Sequence, residues 1–254
     1  MLMNIVTRRL KPTNGISALV HNSFLAVLPL VIFALVRLNE NEFTQLALIL
    51  IVLSKWRMFA VRPRFWPANI RANSIDLMVG ISVVLFMTHS PNSLMQFAWA
   101  IVYGVWLIIV KPATSSFMIS LQAGVGQLFA LSALYLAWSD GPIYGLTLLT
   151  GLICYLAARH YFDAFDESYS RLLSYLWGYF GAALAWLLAH WLLYYGSFAQ
   201  PTILLTVLGY GIGGVYYWDH QDKLTKTAQR QFVAVMMAVV LIVLIFSDWG
   251  SKVV

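Results

Sequence analysis

A chain of 254 residues that is 61% hydrophobic and only 10% charged cannot cover a water-facing surface, for which about 25% charge is usual. That excludes a soluble globular domain. The net charge of +6 comes from Lys and Arg placed beside apolar runs, so orientation in a membrane and contact with anionic headgroups explain it without nucleic acid.

Arg8, Arg9 and Lys11 precede an apolar run from Ile16 to Val36. The run ends at Arg37 without a small-residue cleavage site, and a retained first helix is expected. Further spans are expected near 43–61, 73–89, 93–110, 114–138, 142–161, 172–195, 201–218 and 230–249, which with 16–36 makes about nine. Pro91, Pro112, Pro142 and Pro201 fall just before or at the start of apolar runs, where the first helical turn has no partner for the missing N–H. Pro29 falls inside the first span, where a kink is expected. The third span is the shortest. Nine spans of roughly 20 residues would consume most of the chain, so residues 1–254 read as a single transmembrane domain. Cys154, the one cysteine, falls inside the sixth span and reads as a small buried hydrophobe.

The basic residues test this division independently. Alternate connections receive Arg8, Arg9 and Lys11; Lys55, Arg57, Arg62, Arg64 and Arg71; Lys111; Arg159 and Arg171; and Lys223, Lys226 and Arg230, fourteen in all, against Arg37 and Lys252 on the other side. The positive-inside rule makes the rich side cytoplasmic. The fold expected is therefore an all-α polytopic bundle, N-terminus cytoplasmic and C-terminus outside. A prokaryotic plasma (inner) membrane is the expected location.

No low-complexity segment or clear repeat is present. The fifth span has Gly124-Val125-Gly126 at its centre and the eighth has Gly209-Tyr210-Gly211-Ile212-Gly213-Gly214. Helices broken at such places build transporter sites in inverted repeats. The plainer reading is that small residues let helices pack closely.

Charge inside a span usually marks function, because desolvating it is costly. The span centres here are nearly free of it, which argues against an acidic ion or proton relay. Asp76, about one turn into the third span, is expected to pair with Arg71 or a neighbouring loop arginine. His21 and His190 read as hydrogen-bonded packing residues.

Two segments at the cytoplasmic end combine acids with histidine. On a continuing helix His160, Asp163 and Glu167 share one face, and the eighth span delivers Asp219-His220-Gln221-Asp222 to the same side. Together His160, Asp163, Glu167, Asp219 and Asp222 are a candidate divalent-cation site, of the oxygen-rich kind that holds Mg²⁺. The competing reading uses the same residues as helical i, i+4 ion pairs: Arg159–Asp163, Glu167–Arg171, Asp219–Lys223 and Asp222–Lys226. Arg57, Arg62, Arg64 and Arg71, interleaved with Trp and Phe and broken by two prolines, are candidates for contact with anionic lipid or phosphate.

Arg62-Pro63-Arg64-Phe65-Trp66 resembles an Arg-Pro-x-x-Trp segment found in UbiA-type prenyltransferases, which are nine-helix membrane enzymes with acid-rich cytoplasmic loops. That segment leads into the first helix in those enzymes, whereas here it follows the second span. Their Asn-Asp-x-x-Asp motif is missing, since Asn69–Asp76 carries a single acid. The sequence is not assigned to that family. The resemblance leaves an alternative, a metal-dependent transferase acting on a lipid or prenyl diphosphate, under which Mg²⁺ is the cofactor. A small-molecule transporter is the other. The favoured reading is a non-catalytic membrane component, such as a scaffold, assembly factor or accessory subunit, whose partners are the bilayer, anionic headgroups and other membrane proteins.

Overall fold

A computed structural model describes residues 15–38, 41–138, 140–191, 194–195 and 198–246. Arg8, Arg9, Lys11 and Lys252 lie outside the described residues, as do the side chains of His21 and Arg57. The described chain is helical: α1 (Gly15–Arg37), α2 (Asn41–Leu53), α3 (Trp66–Ala72), α4 (Ser74–Thr88), α5 (Ser93–Val105), α6 (Ser116–Ala137), α7 (Ile143–Asp163), α8 (Ser170–Trp191), α9 (Gln200–His220) and α10 (Lys226–Phe246). Tyr194–Tyr195 and Phe198–Ala199 add a two-residue antiparallel ladder between α8 and α9.

Local chemistry explains where the helices start. Asn92 and Ser115 accept from the amides of Met95 (2.9 Å) and Met118 (3.3 Å) ahead of α5 and α6. Thr225 accepts from Ala228 N (3.1 Å) at the head of α10. These are side-chain caps on amides that a helix leaves unpaired. Pro142 precedes α7, and Pro201 occupies the first turn of α9. α5 continues through one π-helical turn, Trp106–Val110. α1 runs unbroken across Pro29.

Helices fall in the expected places, but among the described residues fewer than nine of them are long and apolar enough to cross a membrane. The expected span 172–195 ends in a strand at Tyr194–Tyr195. The largest departure is at α2. Instead of running to residue 61, α2 stops at Leu53, where Ser54 turns its hydroxyl onto Ile51 O (2.6 Å). Two short 3-10 turns, Trp56–Met58 and Pro63–Phe65, then lead into α3. The Pro63–Ala72 segment is bent by 65° from α4. Pro63 and Pro67 each sit in the first turn of one of these short segments, where a missing N–H is tolerated, so they start new turns.

Among the described residues, five helical segments are long and apolar enough to cross a membrane: Ser93–Val110, Ser116–Ala137, Ile143–Asp163, Ser170–His190 and Lys226–Phe246. A sixth is added if Pro63–Ala72 and Ser74–Thr88 form one bent span. Helices of this length and apolarity are compatible with a membrane protein. α4, the shortest expected span, is the centre of the N-terminal half: Ile75, Val79, Val83, Val84 and Met87 are all buried in a core shared with α1, α2, α5 and α6. A second core joins α6, α7, α8 and α9 around Leu131, Leu146, Cys154 and Leu205. Burial of Cys154 fits its reading as a packing residue. α10 fully buries only Val243 among its described side chains; Phe232, Met236, Val239 and Val240 pack partly inward, while Val233, Val235, Met237, Leu241, Ile242, Ile245 and Phe246 stay exposed.

The tightest seam joins α7 and α8. A Cβ placed on Gly178 would lie 3.0 Å from Gly151 O, and one on Gly151 would lie 3.1 Å from Gly178 O. Their backbones touch, as small residues permit where lipid cannot drive association.

Candidate functional site

Charge gathers at one end of the bundle. Asp76, in the first turn of α4, receives Lys55 Nζ on Oδ2 at 3.2 Å and Lys111 Nζ on the same oxygen at 2.7 Å. The Trp106 indole donates to its other oxygen at 3.2 Å. Lys55 comes from the turn after α2 and Lys111 from the residue after the π-helical turn, so the carboxylate ties three connections together. The carboxylate also sits where the helix dipole favours negative charge. Burial pushes the Lys55 ammonium below its ordinary value, against the pull of Asp76. The expected partner, Arg71, is not used. The bend between α3 and α4 carries Arg71 away, and what Ser74 takes from it is only its carbonyl oxygen (2.7 Å).

Behind this cluster Gln122 donates to Val110 O (2.7 Å) and Ala113 O (3.0 Å), carbonyls at the end of the π-helical turn and just beyond it. Its own oxygen accepts from His160 Nε2 at 3.1 Å. His160 is thereby engaged with α6.

The two acid-and-histidine segments do meet, through aromatic rings and one carboxylate. Phe165 is buried against Tyr161, Tyr216, Tyr217 and His220, the last at 5.1 Å between ring centres. Tyr216 donates its hydroxyl to Glu167, which also accepts from Tyr169 N (3.2 Å). Tyr216 first, and then that amide, hold the Glu167 carboxyl below the usual carboxylate range. Asp163 pairs with Arg159 at 3.0 Å, and Arg159 also donates to Ser170 Oγ at 2.6 Å. Asp219 and Asp222 are exposed. Among the described residues no three His, Cys, Asp or Glu side chains gather as a metal ion requires.

Only the first of the four expected i, i+4 pairs forms among the described residues. The reason is geometric. α7 ends at Asp163 and α9 at His220, so the other three pairs straddle helix ends, where i and i+4 no longer share a face.

Asp166 and Asp222 show what the acids after these helices do. Both have left-handed backbones, φ 50° and 54°. The amide after each bonds a carbonyl five residues back, Glu167 N to Phe162 O and Lys223 N to Trp218 O, which is how a helix C-terminus closes around a left-handed residue. Asp tolerates that conformation better than most residues, and Gly best. Asp222→Gly is therefore expected to be more stable than Asp222→Ala by about 1 kcal/mol, read from denaturant unfolding in detergent. Equal stabilities would mean that the backbone does not require this conformation.

No family model, curated protein or solved structure matches this chain. Its chemistry has to come from its own geometry.

The arginine-rich connection stays open. Arg62 and Arg64 are exposed and Arg71 half-buried, and among the described residues none of the three is paired with an acid. Arg57 belongs to the first 3-10 turn, and its side chain is outside the described residues. Trp66 donates to Val61 O (3.0 Å) and packs edge-on to Phe59, while Arg64 lies 4.6 Å over the Phe65 ring. Cations and aromatic rings presented together in this way suit a headgroup layer.

The glycine-rich centres make no break. α6 and α9 are continuous, and side chains fill the glycine surfaces: Ile75 against Gly126, Trp177 against Gly209, Met236 against Gly211 and Phe232 against Gly214. A recess of about 200 Å³ adjoins the second of these centres, between α9 and α10, lined by Tyr210, Trp218, Gln231 and Phe232 among others. His190 bonds its own helix at Trp186 O (2.7 Å) and packs on the Trp186 ring.

Sequence reasoning passed over the two glutamines. Gln127 donates to Leu205 O (3.1 Å) and accepts from Trp177 Nε1 (2.9 Å), joining α6, α8 and α9. An uncharged amide inside an apolar run barely alters hydropathy. The signal that finds it is the cost of leaving such a group unsatisfied in lipid.

Proposed function

We propose that this chain is a non-catalytic integral membrane component, a scaffold, assembly factor or accessory subunit. It crosses the membrane nine times as one domain over residues 1–254, with its N-terminus cytoplasmic and its C-terminus outside. A prokaryotic plasma membrane is the proposed location. The alternation of fourteen basic residues against two supports this topology. So does the meeting of connections assigned to the cytoplasm, since Lys55, Asp76 and Lys111 converge, as do Phe165 and His220. Arg62, Arg64 and Arg71, with Arg57 beside them in sequence, contact anionic headgroups in this reading.

The observation that carries the function is the employment of the polar residues at that end. His160 joins α7 to α6 through Gln122, Glu167 joins the connection after α7 to α9 through Tyr216, Asp163 pairs with Arg159 within α7, and Asp166 and Asp222 finish helices. Outward apolar faces, α10 above all, are available to lipid and to membrane partners.

The test is thermal unfolding of the purified chain with and without Mg²⁺, Mn²⁺ or Zn²⁺, in the wild type and in an Asp163→Ala, Asp219→Ala double variant. A ligand specific for the folded state raises its stability by mass action. The scaffold reading expects no cation-dependent shift in either protein. Stabilisation of the wild type alone would replace it with metal-dependent chemistry on a lipid diphosphate.

A further inference from the structure

We propose that Lys55 and Lys111 form a binding site for a phosphate-class oxyanion, either the phosphate of a lipid headgroup or free inorganic phosphate. Asp76 is the fixed carboxylate that holds the two ammonium groups together. Both ammoniums converge on one oxygen, at 3.2 and 2.7 Å, so two positive charges sit within about 6 Å of each other against a single negative one. Among the described residues, Tyr103 on α5 and His160 on α7 also feel the charge of Asp76. A phenol and an imidazole supply no negative charge at neutral pH. The next acid, Asp163, is taken by Arg159.

One positive charge is therefore uncompensated, in surroundings where the Lys55 and Asp76 side chains are only 9% and 13% exposed. A buried net charge is costly until it is paired. Each ammonium has three donors and gives one to Asp76, which leaves donors for an acceptor with several oxygens. The Tyr103 hydroxyl, fully buried and without a hydrogen-bond partner, adds a spare donor near the same carboxylate. Lys111, 31% exposed, is the way in. Arg71 closes the short helix just before α4, with Arg62 and Arg64 ahead of it, and together they raise the positive potential at the end of the bundle where lipid phosphates lie.

The test compares thermal unfolding of the full chain in a non-ionic detergent, in sodium phosphate against sodium chloride of equal ionic strength, for wild type and Lys111→Gln. The wild type is expected to gain about 5 °C at a phosphate concentration a hundredfold above Kd. Lys111→Gln loses that gain yet melts no lower than wild type in chloride, because Lys55 and Asp76 then balance. Phosphate also stabilises proteins without binding a site, so the difference between the two proteins is the reading that counts. Nanodiscs of phosphatidylcholine with and without phosphatidylglycerol identify the source. A Lys111-dependent gain from the anionic lipid assigns the site to a headgroup, and a gain from inorganic phosphate alone assigns it to a soluble anion. Equal responses of both proteins in both media overturn the site. Should Lys111→Gln not fold, phosphorus NMR of inorganic phosphate with the wild type decides, and line widths no broader than those of the detergent blank overturn it. Its failure leaves the scaffold reading standing.

Discussion

Replacing Asp76 by Asn is expected to lower the stability of the folded bundle by about 3–5 kcal/mol, the usual cost of removing one partner from a buried ion pair. The substitution keeps the shape, and an amide oxygen is still there to accept from the Trp106 indole, so the hydrogen-bond loss accounts for only about 1 kcal/mol. The larger share comes from Lys55, whose side chain is 9% exposed and must then either stay charged beside Lys111 with nothing to oppose it or give up its proton, which burial already favours. Lys111, at 31% exposure, has the option of swinging out. Lys55→Met added to Asp76→Asn should then recover most of the loss, because an apolar side chain of similar length needs no counter-charge. Urea unfolding in detergent micelles reads both effects. A loss of about 1 kcal/mol in the single variant, with no recovery in the double, would reduce Asp76 to an ordinary hydrogen-bond acceptor.

The second large effect lies at the seam of α7 and α8. Gly178→Leu is expected to destabilise by about 3 kcal/mol, the upper end of the range for overpacking. The obstacles at Gly178 are Tyr155 Cβ at 2.9 Å and a backbone oxygen, Gly151 O, at 3.0 Å. Neither is the end of a flexible side chain, so the helices themselves must separate. Gly124 is the control. A Cβ there meets nothing within 4 Å, so Gly124→Ala should hold or raise stability by up to about 1 kcal/mol through helix propensity alone. Thermal unfolding of the two variants side by side distinguishes packing from propensity. Equal losses would show that glycine at these positions acts through the backbone and not through contact.

That contrast shows what was readable in advance. Helix positions were legible because apolar length, proline placement and capping residues such as Asn92 and Ser115 are written along one segment at a time. Which glycines matter was not. The eye goes to the runs at 124–126 and 209–214, but the glycines whose added Cβ would meet a backbone oxygen of the facing helix are Gly151 and Gly178, isolated residues whose importance depends on how two helices are rotated against each other. The same limit hid the partners of Asp76. Arg71 is near in sequence, whereas Lys55 and Lys111 are near in space, and a bend of 65° separates the two outcomes. The end of α2 at Leu53 was missed because Val52, Trp56, Met58 and Phe59 keep the apolar run going past the turn that Ser54 makes. The candidate acids were legible as a group at one end. Their employment in caps and pairs was not, because it depends on where α7 and α9 stop.

The nine-span arrangement is tested most directly by labelling single cysteines from each side of sealed, oriented membrane vesicles. Ala60→Cys, Thr114→Cys, Ser168→Cys and Gln221→Cys probe the basic connections, and Pro91→Cys and Asp140→Cys the opposite ones. All six positions are exposed, and Cys154 is buried and should stay silent. The expected result is that positions 91 and 140 react with a membrane-impermeant maleimide from outside, and the other four only after the membrane is opened. Two successive connections labelled from the same side would contradict the alternation of spans, and with it the cytoplasmic placement of the charged end.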